Sequence, residues 1–314
     1  MKKNRFIYFL LSIFLVAIQW GCALQLRNSA NGVNAEPCMA PEIPNDLLPY
    51  LKSDRHCQFI LKNLPYGEHA KQRIDIYLPK HLLGAPTLFL VHGGAWRFGD
   101  KDYAALVNNK RERWVNKGII LISSNYRLIP DSYPAQQAED VIRALAYAQR
   151  TLSRLSANDD SFVLMGHSAG AHLVSLINAN PEAAYAHQVK PWLGTVALDG
   201  VALDVMGIMA SPHPNLYDLA FGDDPEYWQL VSPKTQHTQQ AKPLLLICSE
   251  YRTISCSQAR SYANRARELG THAEVVSVPF THTQINRGLG KNSNYTYEVE
   301  TFMKGLGPLW DANL

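Results

Sequence analysis

The chain has 314 residues, 46% hydrophobic and 18% charged. That mixture is too apolar for a disordered protein and long enough for one large domain with a substantial core. Thirty basic residues against 27 acidic ones leave a formal charge of +3, and that excess sits in the first five residues, so nothing indicates a polyanion-binding surface or a nucleic-acid partner.

Lys2, Lys3 and Arg5 precede an apolar run from Phe6 to Ile18 broken only by Tyr8 and Ser12, and no acidic residue occurs before Glu36. A basic start before an apolar stretch is the secretory pattern, and the stretch is shorter than the roughly 20 residues needed to span a bilayer. Residues 1–22 are therefore expected to be an export signal. Two cuts fit. Gly21-Cys22 has the form of a bacterial lipoprotein site, whose Cys would become a lipid anchor, the one membrane contact expected. Val33-Asn34-Ala35 offers small residues for cleavage after position 35. A cut before Cys22 removes three of the 30 basic residues and leaves 27 against 27. Residues 23–48, rich in Asn, Ala and Pro, read as a tether before a domain at 49–314.

Cys38, Cys57, Cys248 and Cys256 remain after either cut, an even number that suits an oxidising compartment. Four cysteines allow three connectivities, and proximity in sequence favours Cys38 with Cys57 and Cys248 with Cys256. C-x-x-C and H-E-x-x-H are absent, so neither zinc nor another metal is expected.

Along the domain, strand and helix patterns alternate. Ile74 to Leu78 alternates in and out. Thr87 to Val91 (TLFLV) and Ile119 to Ser123 (IILIS) are continuous apolar runs, as in strands buried on both faces. Tyr103 to Trp114 is helix-like. Ala135 to Leu152 places Ala138, Val141, Ile142, Leu145 and Ala146 at helical spacing. A strand at Phe162–Met165 leads into an Ala-rich helix from Ser168. Strands follow at Val196–Leu198, Leu244–Ile247 and Ala273–Val278, with helices around Gln258–Leu269 and Tyr295–Leu306. This order predicts an α/β fold, a mostly parallel sheet covered by helices on both faces, with reactive groups at the carboxyl ends of strands. An insertion at about 205–240 gathers Met206, Ile208, Met209, Leu216, Tyr217, Phe221, Tyr227 and Trp228. It reads as a cap lining a small apolar pocket, with Trp96 as a further wall.

Two motifs carry chemistry. Gly166-His167-Ser168-Ala169-Gly170 is G-x-S-x-G between a predicted strand and a predicted helix, the setting of a nucleophile elbow. There Ser168 occupies a sharp turn, and a side chain at either glycine would meet neighbouring backbone. His92-Gly93-Gly94-Ala95-Trp96 follows TLFLV, and small residues there free backbone amides for a reacting carbonyl oxygen. Gly94, Ala95 and Ala169 are the expected oxyanion donors. His92 is expected to hold that loop.

HGGAW at 92–96, NYRL at 125–128 and GHSAGAHL at 166–173 resemble an α/β-hydrolase of the esterase branch that also contains kynurenine formamidases and carbohydrate-side-chain esterases. Phe221-Gly222-Asp223, Ser232-Pro233 and Thr281-His282-Thr283-Gln284-Ile285-Asn286 extend the resemblance over roughly residues 60 to 310. It implies the α/β-hydrolase fold and acyl transfer by a serine.

A serine nucleophile needs a base and an acid that orients it, in chain order Ser, acid, His. His272 and His282 lie beyond the last suitable acids. His272 stands at a strand entry, whereas His282 follows a strand where the resembling family has its base. The family's Gly-x-x-Asp after the strand at 243–247 is absent; here the chain reads Cys248-Ser249-Glu250-Tyr251-Arg252. Glu250 is the only carboxylate in that loop and the first choice. Asp199 and Asp204, after the preceding strand, are the alternatives. The expected protein is an exported serine hydrolase of a small carboxylic ester, acting without a cofactor through an acyl-enzyme. The alternatives are an arylformamidase using the same machinery and a non-catalytic binding protein on a hydrolase fold.

Overall fold

The computed structural model describes residues 41–53 and 58–314. The expected signal, both cleavage positions, the tether up to residue 40 and the Cys38–Cys57 pair lie outside them.

The strands are β1 (Leu51–Ser53), β2 (Phe59–Pro65), β3 (Arg73–Leu78), β4 (Thr87–Val91), β5 (Ile120–Ser124), β6 (Phe162–His167), β7 (Gly194–Leu198), β8 (Leu244–Ser249) and β9 (Ala273–Val278). They form one sheet in the order β1-β2-β3-β5-β4-β6-β7-β8-β9. β1, β2, β3 and β5 pair antiparallel, and from β5 to β9 every pairing is parallel. The continuous apolar runs become the central strands, and every residue of β4, β5, β6 and β7 is buried. The chain leaves β4 for β5 on one side and returns to β6 on the other. The two connections diverge at the carboxyl end of β4, where Val91 pairs in register with Gly166. Such a divergence opens a crevice in α/β sheets.

The helices are α1 (Ala104–Trp114), α2 (Pro134–Arg154), α3 (Ala169–Ala179), α4 (Glu182–Ala186), α5 (Val205–Met209), α6 (Leu216–Phe221), α7 (Pro225–Leu230), α8 (Pro233–Gln236), α9 (Thr253–Glu268), α10 (His282–Gly288), α11 (Asn294–Lys304) and α12 (Pro308–Asn313). Alternate residues of a strand face opposite sides, and β8 divides accordingly. Leu245 and Ile247 pack with Leu106 and Trp114 of α1, Val299 and Phe302 of α11 and Trp310 of α12. Leu244 and Leu246 pack with Ala171 of α3 and Ala259, Tyr262 and Ala263 of α9. Helices therefore cover both faces, as the strand patterns predicted.

Two regions differ from the sequence reading. Residues 49–72, which no pattern assigned, contain β1 and β2. β2 hides its alternation because the register shifts between Leu61 and Leu64, where Asn63 takes a positive φ of 61°. The insertion at 205–240 is four short helices, α5 to α8, with Asp204 and Asp224 accepting from the first-turn amides of α5 and α7. Among the described residues no helix is long and apolar enough to cross a membrane.

Candidate active site

β6 ends at His167 and α3 begins at Ala169, so Ser168 alone makes the turn. Its φ of 57° and ψ of −118° are unusual for a residue with a side chain and persist only where the surroundings impose them. Ser168 N donates to Leu198 O at 2.9 Å, and His172 N donates to Ser168 O at 3.1 Å. A Cβ on Gly166 would stand 2.2 Å from Gly170 O, and one on Gly170 2.3 Å from Val91 O. Strand and helix pass too closely for any side chain at either position.

The loop after β4 runs against this turn. A Cβ on Gly93 would lie 2.6 Å from His167 O and 2.8 Å from Ser168 Cβ. Gly94, Ala95 and Trp96 follow with φ of 131°, 51° and 59°, and the amides of Arg97 and Phe98 both close onto Gly94 O. The amides of Gly94, Ala95 and Ala169 meet no acceptor among the described residues. The 125–128 segment braces the loop from behind. Tyr126 donates from its hydroxyl to His92 O at 3.0 Å and stacks on the His92 ring at 4.4 Å. Asn125 accepts from Lys101 N at 2.6 Å and donates to Asp100 at 3.0 Å. Arg127 grips the buried Asp140 with two bonds of 2.8 and 2.7 Å. His92 donates from Nδ1 to Gly93 O at 2.8 Å. Burial pushes its imidazole down to about 4, so it is a neutral support.

Trp96 does not wall an open pocket. It is 3% exposed, donates to His172 Nδ1 at 3.2 Å, and lies edge-on to Phe221 at 4.9 Å. Its aromatic surface fastens the cap to the oxyanion loop, because two large rings bury more apolar area against each other than either would against solvent.

His282 opens α10. Thr281 caps the helix by accepting from Gln284 N while Gln284 Oε1 accepts from Thr281 N, a reciprocal cap that fixes the entry to the helix. His167, the residue before Ser168, donates from Nε2 to His282 O at 3.0 Å, with the two rings 4.4 Å apart. His282 and the end of β6 are thereby tied together. His272 lies at the surface and pairs with Glu274 at 2.6 Å.

The structure brings Asp199, and not Glu250, to His282. The Glu250 side chain is exposed and makes no contact with His282; its position, just past the end of β8, turns it outward. Asp199 lies directly after β7 at φ 49° and is 0% exposed. Its Oδ2 is 2.5 Å from His282 Nδ1. Ser249 N donates to Asp199 Oδ1 at 2.9 Å, and Ser255 Oγ donates to the same oxygen. Arg252 Nη1 stands 2.5 Å from Oδ2 and 2.6 Å from His282 Nδ1. Burial alone would raise the Asp199 carboxyl. The bonds from His282, Ser255 and Ser249, with the Arg252 charge, overcome it and hold the group well below the usual carboxylate range. Asp204 is occupied elsewhere, capping α5 and pairing with Lys234 at 2.8 Å.

Cys248 and Cys256 form a disulfide with Cα atoms 5.0 Å apart. The ring it closes contains Ser249, Arg252 and Ser255, the three residues that, with His282, hold the Asp199 carboxylate among the described residues. The sequence signal for Asp199 was an acidic residue directly after a buried strand and before Gly200. That signal is present but weak, since Glu250 satisfies the first half of it equally.

The BD-FAE family model matches residues 74–264. A kynurenine formamidase of Salmo salar is 28% identical over 152 residues, 48% of this chain and 49% of that protein. A probable isoprenylcysteine alpha-carbonyl methylesterase of Oryza sativa subsp. japonica is 29% identical over 117 residues, 37% of this chain and 27% of that protein. The match thus spans half or less of the length of these relatives. Among solved structures, a truncated form of a carbohydrate esterase from gut microbiota superposes with a TM-score of 0.67 at 18% identity, over 81% of this chain and 96% of that one. At that identity the likeness establishes the α/β-hydrolase fold.

Proposed function

The chain belongs to the BD-FAE family, and on that premise we propose that it is a serine hydrolase of small carboxylic esters, with Ser168 as nucleophile, His282 as base and Asp199 as orienting acid. The observation that carries this reading is the 2.5 Å contact of Asp199 Oδ2 with His282 Nδ1, on the strand edge where Ser168 makes its strained turn.

The chemistry follows from where protons sit. With Asp199 ionised, Nδ1 of His282 keeps its proton and Nε2 is free to accept one. Ser168 Oγ attacks the ester carbonyl carbon while its proton passes to Nε2. The carbonyl π pair moves to oxygen, and the amides of Gly94, Ala95 and Ala169 receive that charge. Re-forming the carbonyl breaks the bond to the alcohol, which leaves with the proton from Nε2. A water molecule then attacks the acyl-enzyme by the same route, with His282 taking its proton and returning it to Ser168 Oγ.

Export is part of the proposal. It rests on the basic and apolar leader and on the Cys248–Cys256 disulfide, which suits an oxidising compartment.

The test is a fluorophosphonate probe on the purified protein, followed by peptide mass spectrometry and a panel of short- and long-acyl esters. Modification of Ser168, with turnover abolished in Ser168→Ala, is expected. Unchanged turnover in that variant ends the serine-hydrolase reading. An N-formyl aryl amide belongs in the panel because the Salmo salar relative is named a formamidase.

A further inference from the structure

Arg252 does not belong to the machinery just described, yet it stands against two of its members. Its Nη1 lies 2.5 Å from Asp199 Oδ2 and 2.6 Å from His282 Nδ1. Oδ2 therefore accepts from two donors side by side. The Asp199 side chain is fully buried, whereas those of Arg252 and His282 are about one-third exposed, at 31% and 34%. In the resting site the arrangement balances: one carboxylate, one guanidinium, one neutral imidazole. When the imidazole takes a proton, it faces an anion and a cation at nearly equal distance. A triad without the arginine would present it with the anion alone.

Arg252 is held in place. It is the residue before α9, its amide donates to Ser249 O at 3.1 Å, and its carbonyl accepts from Ser255 N at 2.9 Å. The Cys248–Cys256 bond closes the ring around it. Ser249 Oγ donates to Phe280 O at 2.6 Å, which ties the ring to the loop that delivers His282.

We propose that Arg252 is a positioning residue that donates to Asp199 beside His282, fixing the carboxylate and opposing protonation of the imidazole by its charge, so that the base keeps its working form to lower pH than the same triad without it. The inference rests on the triad reading given above. It assigns Arg252 no contact with substrate.

The other ionisable groups around His282 are common to any Arg252 variant. His167 on β6 is neutral, since burial holds it down to about 3. Lys110 on α1, whose Nζ donates to Asn286 O of α10 at 2.7 Å, is lowered to about 7 by burial. Tyr295 on α11 and Tyr217 on α6 are raised by burial. Glu250 is exposed in the ring, and Arg287 lies further along α10. Tyr217 also feels the Arg252 charge, but burial raises it away from the acid limb; a titration that the remaining groups contribute appears in wild type and variant alike, so the difference on the acid limb isolates Arg252.

The experiment compares wild type, Arg252→Met and Arg252→Lys in the full chain, with Arg252→Gln as a second uncharged variant should the Met form fail to fold. Two readouts are taken. One is kcat/KM against pH on an ester that wild type hydrolyses. The other is the NMR titration of the His282 ring in a Ser168→Ala background. Loss of the charge is expected to move the acid limb of kcat/KM upward by roughly 0.5 to 1 pH unit, the effect of a unit charge about 4 Å away in a water-like medium. The ring titration should move by the same amount, and Arg252→Lys should leave both in place. An acid limb at the wild-type pH in the uncharged variants, or one displaced equally by Lys and Met, overturns the proposal. A ring titration that moves as expected in a protein that hydrolyses no ester upholds the coupling and overturns the triad reading instead.

Discussion

Asp199 Oδ2 stands 2.5 Å from His282 Nδ1 across 83 residues of chain, and no other carboxylate among the described residues contacts that imidazole. Three of the contacts that keep it there come from one disulfide-closed ring: the Ser249 amide, the Arg252 guanidinium and the Ser255 hydroxyl. The carboxylate follows β7, its support lies in the loop after β8, and the imidazole it meets opens α10.

Asp199→Asn is expected to lower kcat/KM by about ten-thousandfold, because an amide presents the wrong partner to Nδ1 and gives the imidazolium no charge. Glu250→Gln should stay close to wild type, as its side chain is exposed. Kinetics on a chromogenic ester, with circular dichroism to confirm folding, separates the two. A severe loss in Glu250→Gln with near-normal Asp199→Asn would reverse the assignment.

Opening the ring should affect turnover more than stability. A disulfide that closes so short a loop is worth about 2–3 kcal/mol by chain entropy, a shift of several degrees in Tm for a domain of this size. The same bond fixes three contacts on the acid, and a displacement of about 1 Å at a catalytic group can cost a hundredfold. The Cys248→Ala/Cys256→Ala double variant is therefore expected to lose at least tenfold in kcat (an estimate from that geometric sensitivity). Equal activity in the reduced and oxidised forms would show that the ring does not set the geometry.

Gly93→Ala tests the oxyanion loop. The added methyl would sit 2.6 Å from His167 O and 2.8 Å from Ser168 Cβ, so loop and nucleophile must separate. Loss of one oxyanion donor typically costs about a hundredfold or more in kcat. The expected result is a fall of that order in kcat, with a smaller change in KM. A variant with wild-type kcat would place the oxyanion site elsewhere.

Acid should unfold the domain through its histidines. Burial holds His92, His172 and His237 down to about 4 and His167 to about 3, against an unfolded value near 6.5. Between these limits the unfolded chain binds more protons than the folded one. Stability is thus complete above about pH 6.5 and falls as pH drops towards 4. With up to four protons involved, the slope approaches about 5 kcal/mol per pH unit at its steepest. Asp75 works against this, since burial raises its carboxyl. Urea midpoints measured from pH 8 to pH 4 should decline steeply below pH 6, and a flat profile down to pH 5 would contradict the neutral, buried state of these rings.

Much of the frame was legible locally. TLFLV and the 162–165 run read as buried strands because continuous apolar sequence has no solvent face to satisfy, and both are central in the sheet. The need for glycine at Gly166 is explained by contacts within the turn itself, whereas Gly170 is small because β4 passes beside it; the Thr281–Gln284 cap that seats His282 lies within four residues. β2 was hidden by its register shift, which depends on its partner β3 and not on its own alternation.

The proposed nucleophile, oxyanion loop and base followed from the sequence, because each reading rests on backbone geometry that the motif residues favour. The acid did not. Asp199, Asp204 and Glu250 all follow strand ends, and no pattern ranks them by distance to an imidazole more than thirty residues further along. The choice depends on the positive φ that aims Asp199 inward, on the ring that grips it, and on the outward turn of Glu250. The same holds for Trp96, whose burial depends on a cap residue, Phe221, that arrives 125 residues later to cover it. An interaction that acts through space between separate strands is set by how those strands are stacked, and that is decided only when the sheet closes around its core.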